Sequence, residues 1–207
     1  DVIVTDDEDP TITCATPAAS YTADAGECYY TVPGTALDPV ATDDNCGVAS
    51  ITNDYNSTNT LNGAQFPVGT TTVTWRVTDI HGNYTECFYD VIVTDDEDPT
   101  ITCATPAASY TADAGECYYT VPDASLDPVA TDDNCGVASI VNDYTSTNTL
   151  SGAQFPVGTT TVTWRVTDIH GNYTECFYDV IVTDDEDPTI TCATPAASYT
   201  ADAGECY

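Results

Sequence analysis

A period of 89 residues runs through this chain and constrains its fold more than any other feature. Residues 90–178 repeat residues 1–89 with six substitutions (Gly34/Asp123, Thr35/Ala124, Ala36/Ser125, Thr52/Val141, Asn56/Thr145 and Asn62/Ser151), and residues 179–207 begin a third copy. A repeat of this fidelity fixes the architecture as an array of like units, and each unit is long enough for one small core. The period is cut out of phase, so the chain reads as a segment of a longer array. Residues 1–5 read as the last strand of a preceding unit. Residues 6–94 and 95–183 read as complete units, each a DDEDP linker plus a domain, and 184–207 as the start of a further one.

Within a unit the hydrophobic period is two. TTTVTWRVTD at 70–79 alternates Val73, Trp75 and Val77 on one face with Thr72, Thr74, Arg76 and Thr78 on the other, the pattern of a half-buried strand. CYYTV at 28–32 and VASITNDY at 48–55 are also β-rich, whereas DAGE at 24–27, FPVG at 66–69 and DIHGN at 79–83 read as turns. No stretch carries a helical period. About seven short strands per unit indicate an antiparallel β-sandwich. In the final strand, YTECFYDVIVTD at 84–95, the residues Cys87, Tyr89, Val91 and Val93 fall on the core side. Phe88 and Ile92 then point outward, as do Phe177 and Ile181 in the next copy. Such a recurring apolar stripe is a candidate surface for self-association.

Composition excludes several classes. Thirty-four acids against two arginines, with no lysine, give a net charge of −32, which repels nucleic acid and anionic membrane surfaces. No apolar run approaches the ~20 residues of a membrane helix. Ten cysteines and only two histidines fit disulfides in an oxidising, extracellular setting, and without a CxxC pair they do not fit zinc. His81 and His170 each lie in a DIHGN turn with no nucleophile marked beside them, and the linker carboxylates lack the cleft a glycosidase needs. The chain reads as no enzyme.

The set PTITC, GEC, ATDDNCG, FPVGTTTVTW, VTDIHGN and ECFYDVIVTD resembles the hyalin repeat (HYR) family, especially tandem four-cysteine versions of bacterial secreted proteins, over the whole unit. The resemblance implies an all-β chain of tandem immunoglobulin-like antiparallel β-sandwiches forming a rod, located outside the cell, with a part in adhesion or matrix. It also implies a disulfide framework of Cys14–Cys87 with Cys28–Cys46, and Cys103–Cys176 with Cys117–Cys135. A second framework, Cys14–Cys28 with Cys46–Cys87, stands beside it.

In a sandwich of this topology three acidic segments converge where the chain enters a unit. For the second unit these are the linker residues Asp95, Asp96, Glu97 and Asp98, the loop residues Asp132, Asp133 and Asn134, and Asp168 with Asn172 of the last turn. The first unit supplies Asp6, Asp7, Glu8 and Asp9, then Asp43, Asp44 and Asn45, then Asp79 and Asn83; the third copy begins with Asp184, Asp185, Glu186 and Asp187. Carboxylates ~6 Å apart repel by about 3 kcal/mol at an effective dielectric of 20, so such a joint splays unless a cation fills it. Calcium, with six to eight oxygen ligands in irregular geometry, suits loops better than magnesium. The arrangement is similar to a cadherin junction, where a short acidic linker before a proline binds calcium between sandwiches.

The sequence therefore reads as a structural component of an extracellular filament or matrix: a calcium-stiffened, disulfide-bonded rod that contacts copies of itself, a cell surface or matrix. Two other readings stand beside it. One is the extender or stalk of a cell-surface adhesin, and the other a carbohydrate-binding accessory module of a secreted enzyme.

Overall fold

The alternating segments form the longest elements of the computed structural model, which describes residues 1–195 and 197–205. In the first unit β7 (Gly69–Asp79) and β8 (Tyr84–Thr94) make an antiparallel hairpin in register from Gly69↔Val93 to Thr78↔Tyr84. Beside it lie β5 (Val48–Asn53), antiparallel to β7, and β2 (Tyr21–Thr22), giving the order β2-β8-β7-β5. The opposing layer is made of two short pairs, β1 (Thr11–Thr13) with β4 (Ala41–Asp43) and β3 (Tyr29–Thr31) with β6 (Gln65–Pro67).

The second unit repeats this with β9 (Thr100–Thr102), β10 (Tyr110–Thr111), β11 (Tyr118–Thr120), β12 (Ala130–Asp132), β13 (Val137–Asn142), β14 (Gln154–Pro156), β15 (Gly158–Asp168) and β16 (Tyr173–Thr183). The chain is all-β among the described residues. The sandwich is not wholly antiparallel, because β2 runs parallel to β8, as β10 does to β16.

The inward face of the hairpin closes the core. Val73, Trp75, Val77, Val91 and Val93 are buried, together with Val32, Leu37 and Leu61 from the segments between strands. Tyr89 reaches across: its hydroxyl accepts from Trp75 Nε1 at 3.0 Å and donates to the carbonyl of Leu37, so both buried polar groups are satisfied. FPVG at 66–69 is more than a turn. Phe66 is fully buried on β6, opposite Tyr30 and stacked on Tyr55, and only Gly69 starts the next strand. The mix of Phe and Pro reads locally as a turn, but β3 gives the segment a partner and the core takes its ring.

Residues 1–5 carry no strand pairing, and Val2, Ile3 and Val4 are exposed.

The cysteines depart from the implied framework at two of four bridges. Cys14–Cys87 and Cys103–Cys176 tie the first strand of each unit to its last, with Cα atoms 5.9 Å apart. Cys28 is bonded not to Cys46 but to Cys135 of the following unit, Cα atoms 4.9 Å apart. Cys117–Cys135 is thereby excluded, and the rival pairs Cys14–Cys28 and Cys46–Cys87 fall as well. Cys46, Cys117 and Cys192 are unbonded and exposed, and Cys206 lies outside the described residues. The reason is position within the bead. Cys28 lies at the exit end, where Gly26 N–H donates to Glu97 of the outgoing linker at 2.8 Å, whereas Cys46 lies at the entry end beside Asp6. A disulfide needs Cα atoms within about 7 Å, and Cys135 of the next bead comes within that reach of Cys28.

Candidate metal centre at the junction

Strand register assembles the junction. β9 pairs with β12 so that Thr100 lies opposite Asp132, which sets the linker 95–98 beside the loop that leaves β12. That loop ends where Val137 of β13 pairs with Asp168, the last residue of β15 and first of the DIHGN turn. Linker, DDNC loop and DIHGN turn are thus three neighbours at one end of the second unit, and the same pairings, Thr11↔Asp43 and Val48↔Asp79, build the first.

Carboxylate oxygens of Asp95, Asp133 and Asp168 lie within 4.8 Å of one another. Each is held by its own segment. Asp168 is 2% exposed, and its Oδ1 accepts from the backbone N–H groups of His170 (2.8 Å), Gly171 (2.5 Å) and Asn172 (2.9 Å). Its Oδ2 accepts from Asn172 Nδ2 at 2.8 Å. Burial pushes the Asp168 carboxyl up, but the Asn172 amide and the turn N–H groups outweigh it, and the pKa is lowered.

Asp133 accepts from the N–H groups of Cys135 (2.9 Å) and Gly136 (2.6 Å), both through Oδ2. Its other oxygen, Oδ1, is buried without a partner, as is Oδ1 of Asn134. Asp95 is 9% exposed; its Oδ2 lies 3.1 Å from His170 Nδ1, and its Oδ1 accepts from Asn134 Nδ2 at 3.3 Å.

In the first unit the ligand atoms within 4.8 Å of one another are those of Asp6, Cys46 and His81. Asp44 binds the N–H groups of Cys46 and Gly47 through Oδ2 and keeps Oδ1 buried and unpaired. Asp6 sits 3.1 Å from His81 Nδ1. Hydrogen bonds from the Cys46 thiol and the Glu8 N–H, with His81, lower its pKa against some desolvation. The same Asp6 contact, with burial and the charges of Asp44 and Asp79, pushes the Cys46 thiol up to about 11.

The other acids play different parts. Asn83 and Asn172 turn their amide nitrogens toward the acids, donating to Asp79 and Asp168 and to the carbonyls of Asp6 and Asp95; they clamp carboxylates together. Glu8 accepts from Asn45 at 2.7 Å, and Asp43 and Asp132 are exposed strand ends. Asp7, Asp9, Asp96 and Asp98 are exposed on the linkers. In the third copy Asp184 accepts from the N–H of Glu186, while Asp185 and Asp187 are exposed. His81 and His170 are turn residues, as their context implies, and each also reaches the linker aspartate.

One contributor lies outside the three expected segments. The GEC turn of the preceding unit closes the junction from the other side. Gly26 N–H donates to Glu97 Oε2, the carbonyl of Glu27 accepts from Asn134 Nδ2 at 3.0 Å, and Cys28 is bonded to Cys135. Gly26 has φ 76°, a backbone that favours glycine and aims its N–H at the linker. The sequence signal was present: GEC sits in every copy at the end opposite DDNC. The outward stripe is also in place, with Phe88 74% and Ile92 38% exposed, and Phe177 and Ile181 the same.

Two sandwiches joined by an acidic, cross-linked joint define a tandem-repeat protein with disulfide-closed domains. The HYR domain model matches residues 5–93 and 94–182, and the chain belongs to that family. Hyalin of Strongylocentrotus purpuratus is 39% identical over 113 residues, 53% of this chain and 9% of that protein. Hyalin of Lytechinus variegatus is 33% identical over 138 residues, 62% of this chain and 24% of that protein. The chain therefore spans a small part of these relatives. Among solved structures, human mucin-like protocadherin EC1-2 aligns over 84% of this chain and 98% of its own at 14% identity, with a TM-score of 0.36, an overlap too loose to inform the site.

Proposed function

We propose that this chain is a segment of an extracellular structural rod whose joints are stiffened by calcium. The observation that carries the reading is the junction: three carboxylates from three segments lie within 4.8 Å, and beside them two buried oxygens, of Asp133 and Asn134, have no partner. An unsatisfied buried acceptor costs about 1–3 kcal/mol, and three clustered carboxylates add repulsion. A hard divalent cation offsets both terms, and an all-oxygen donor set is what calcium takes. Asp95, Asp133 and Asp168 would hold the ion, Asn134 Oδ1 would complete the protein share, and Asn172 and His170 fix the carboxylates in place. When bound, the ion supplies positive charge and nothing else.

Repetition turns one stiff joint into a rod, because like joints impose like rotations. An extracellular location fits the bridged cysteines and the hyalin relatives. The exposed Phe88 and Ile92 give the rod a lateral contact with a second copy, or leave it a plain extender of an adhesin.

The test is calcium titration of the oxidised 207-residue chain by calorimetry, with melting followed in calcium and in excess chelator. Binding to the folded state stabilises by about 2.7 kcal/mol at a hundredfold excess over Kd. The expected result is a lower melting temperature in chelator, and loss of that difference in Asp133→Asn. An unchanged melt with no heat of binding removes calcium from the joint.

A further inference from the structure

The bond between Cys28 and Cys135 joins two units that are nearly identical, so each unit carries both halves of it. Cys46 occupies in the first unit the place of Cys135, and Cys117 occupies in the second the place of Cys28. Both are unbonded and exposed.

Each sits in a copy of the surroundings that make the observed bond. At the outgoing end of the second unit, Gly115 N–H donates to Glu186 Oε2 at 2.7 Å, as Gly26 does to Glu97 at 2.8 Å. Cys117 lines an open cleft there with Gly115, Glu116 and Glu186, and the matching cleft at the first junction is lined by Gly26 and Glu97 together with Asn134 of the next unit. At the incoming end of the first unit, Asp44 holds the N–H groups of Cys46 and Gly47 as Asp133 holds those of Cys135 and Gly136. Both half-joints are built before a partner arrives.

We infer that the cysteines form a ladder along the array: Cys117 takes the DDNC cysteine of the next unit, Cys46 takes the GEC cysteine of the unit before, and every junction is crossed by a disulfide beside its peptide linker. The partner of each half-joint is another copy of the 89-residue unit, in series. Each bond forms by exchange with a donor disulfide, small-molecule or protein. One thiolate attacks the donor, releasing a donor thiol, and the second thiolate displaces the other; two protein thiols are oxidised and one donor disulfide is reduced to two thiols. The rod then has two covalent paths through every joint, and cutting the exposed linker does not part it. This holds with or without a cation in the joint.

Acid cleavage supplies the test, because it breaks Asp–Pro bonds and suppresses thiolate exchange. Such bonds follow Asp9, Asp38, Asp98, Asp127 and Asp187. With thiols first alkylated, the non-reduced digest of the oxidised chain should hold one species spanning residues 10–187, which falls apart on reduction. Two separate species, 10–98 and 99–187, would overturn the proposal. In Cys28→Ser with Cys135→Ser those two species should appear while Cys14–Cys87 and Cys103–Cys176 still hold each unit together. For the serial claim, the chain is extended to complete its third copy. Cys117 should be alkylated in the 207-residue chain and protected in the extended one, where peptide mapping joins it to the DDNC cysteine of the third unit. A reactive Cys117 in the extended chain, or a bond from Cys117 to Cys135, defeats the ladder.

Discussion

Asp168 shows how much a single carboxylate organises. One oxygen collects three backbone N–H groups and the other an amide, so the side chain holds the turn and these bonds favour its ionised form. Its pKa is lowered from 3.8. A depressed folded pKa means stability that is fully present above the unfolded value, near 4, and lost as pH falls through the lower folded value. Denaturant unfolding between pH 6 and pH 2 should therefore lose stability below about pH 4, and Asp168→Asn should flatten that limb while lowering stability at pH 6. In the core, Tyr178 is the counterpart of Tyr89: it accepts from Trp164 Nε1 at 3.1 Å and donates to Leu126. Tyr178→Phe strands both groups and should cost about 1–3 kcal/mol in chemical denaturation; a loss below a few tenths would show that the bridge carries little.

At the scale of elements, β8 and β16 are asymmetric in a way the core does not require. Their inner faces carry Tyr89, Val91 and Val93, or Tyr178, Val180 and Val182, all buried. Their outer faces place Phe88 opposite Thr74 and Ile92 opposite Thr70, in a surface that also carries Thr72, Asp90, the Arg76–Glu86 ion pair and Tyr84. Burying such a pair against a second rod contributes roughly 3–5 kcal/mol before association costs, and repetition every unit adds avidity. Phe88→Ser and Ile92→Thr, with Phe177→Ser and Ile181→Thr, should leave the melting temperature within a degree or two while abolishing side-by-side bundling in calcium, as seen by negative stain. Bundles that survive would take the stripe out of the assembly.

Over the whole molecule, alternation with period two identified the sandwich and its buried faces, because inward and outward are decided residue by residue along one strand. The repeat identified the array, and the acidic segments showed which loops meet, because sandwich topology dictates which connections share an end. Two things needed the tertiary structure. Which oxygen stays free is settled by local turns that occupy one oxygen of Asp133 and leave the other buried, and nothing in DDNC distinguishes those two atoms. The partner of Cys28 is settled by proximity between different beads: within a unit the GEC turn and the DDNC loop lie at opposite ends, and only stacking one bead on the next brings them together. Four cysteines in an 89-residue period are compatible with closure inside the period, and a sequence carries no mark of which bead a thiol will face. The fold of each unit is a local pattern repeated; the joint is a contact between repeats, and it exists only once both have folded.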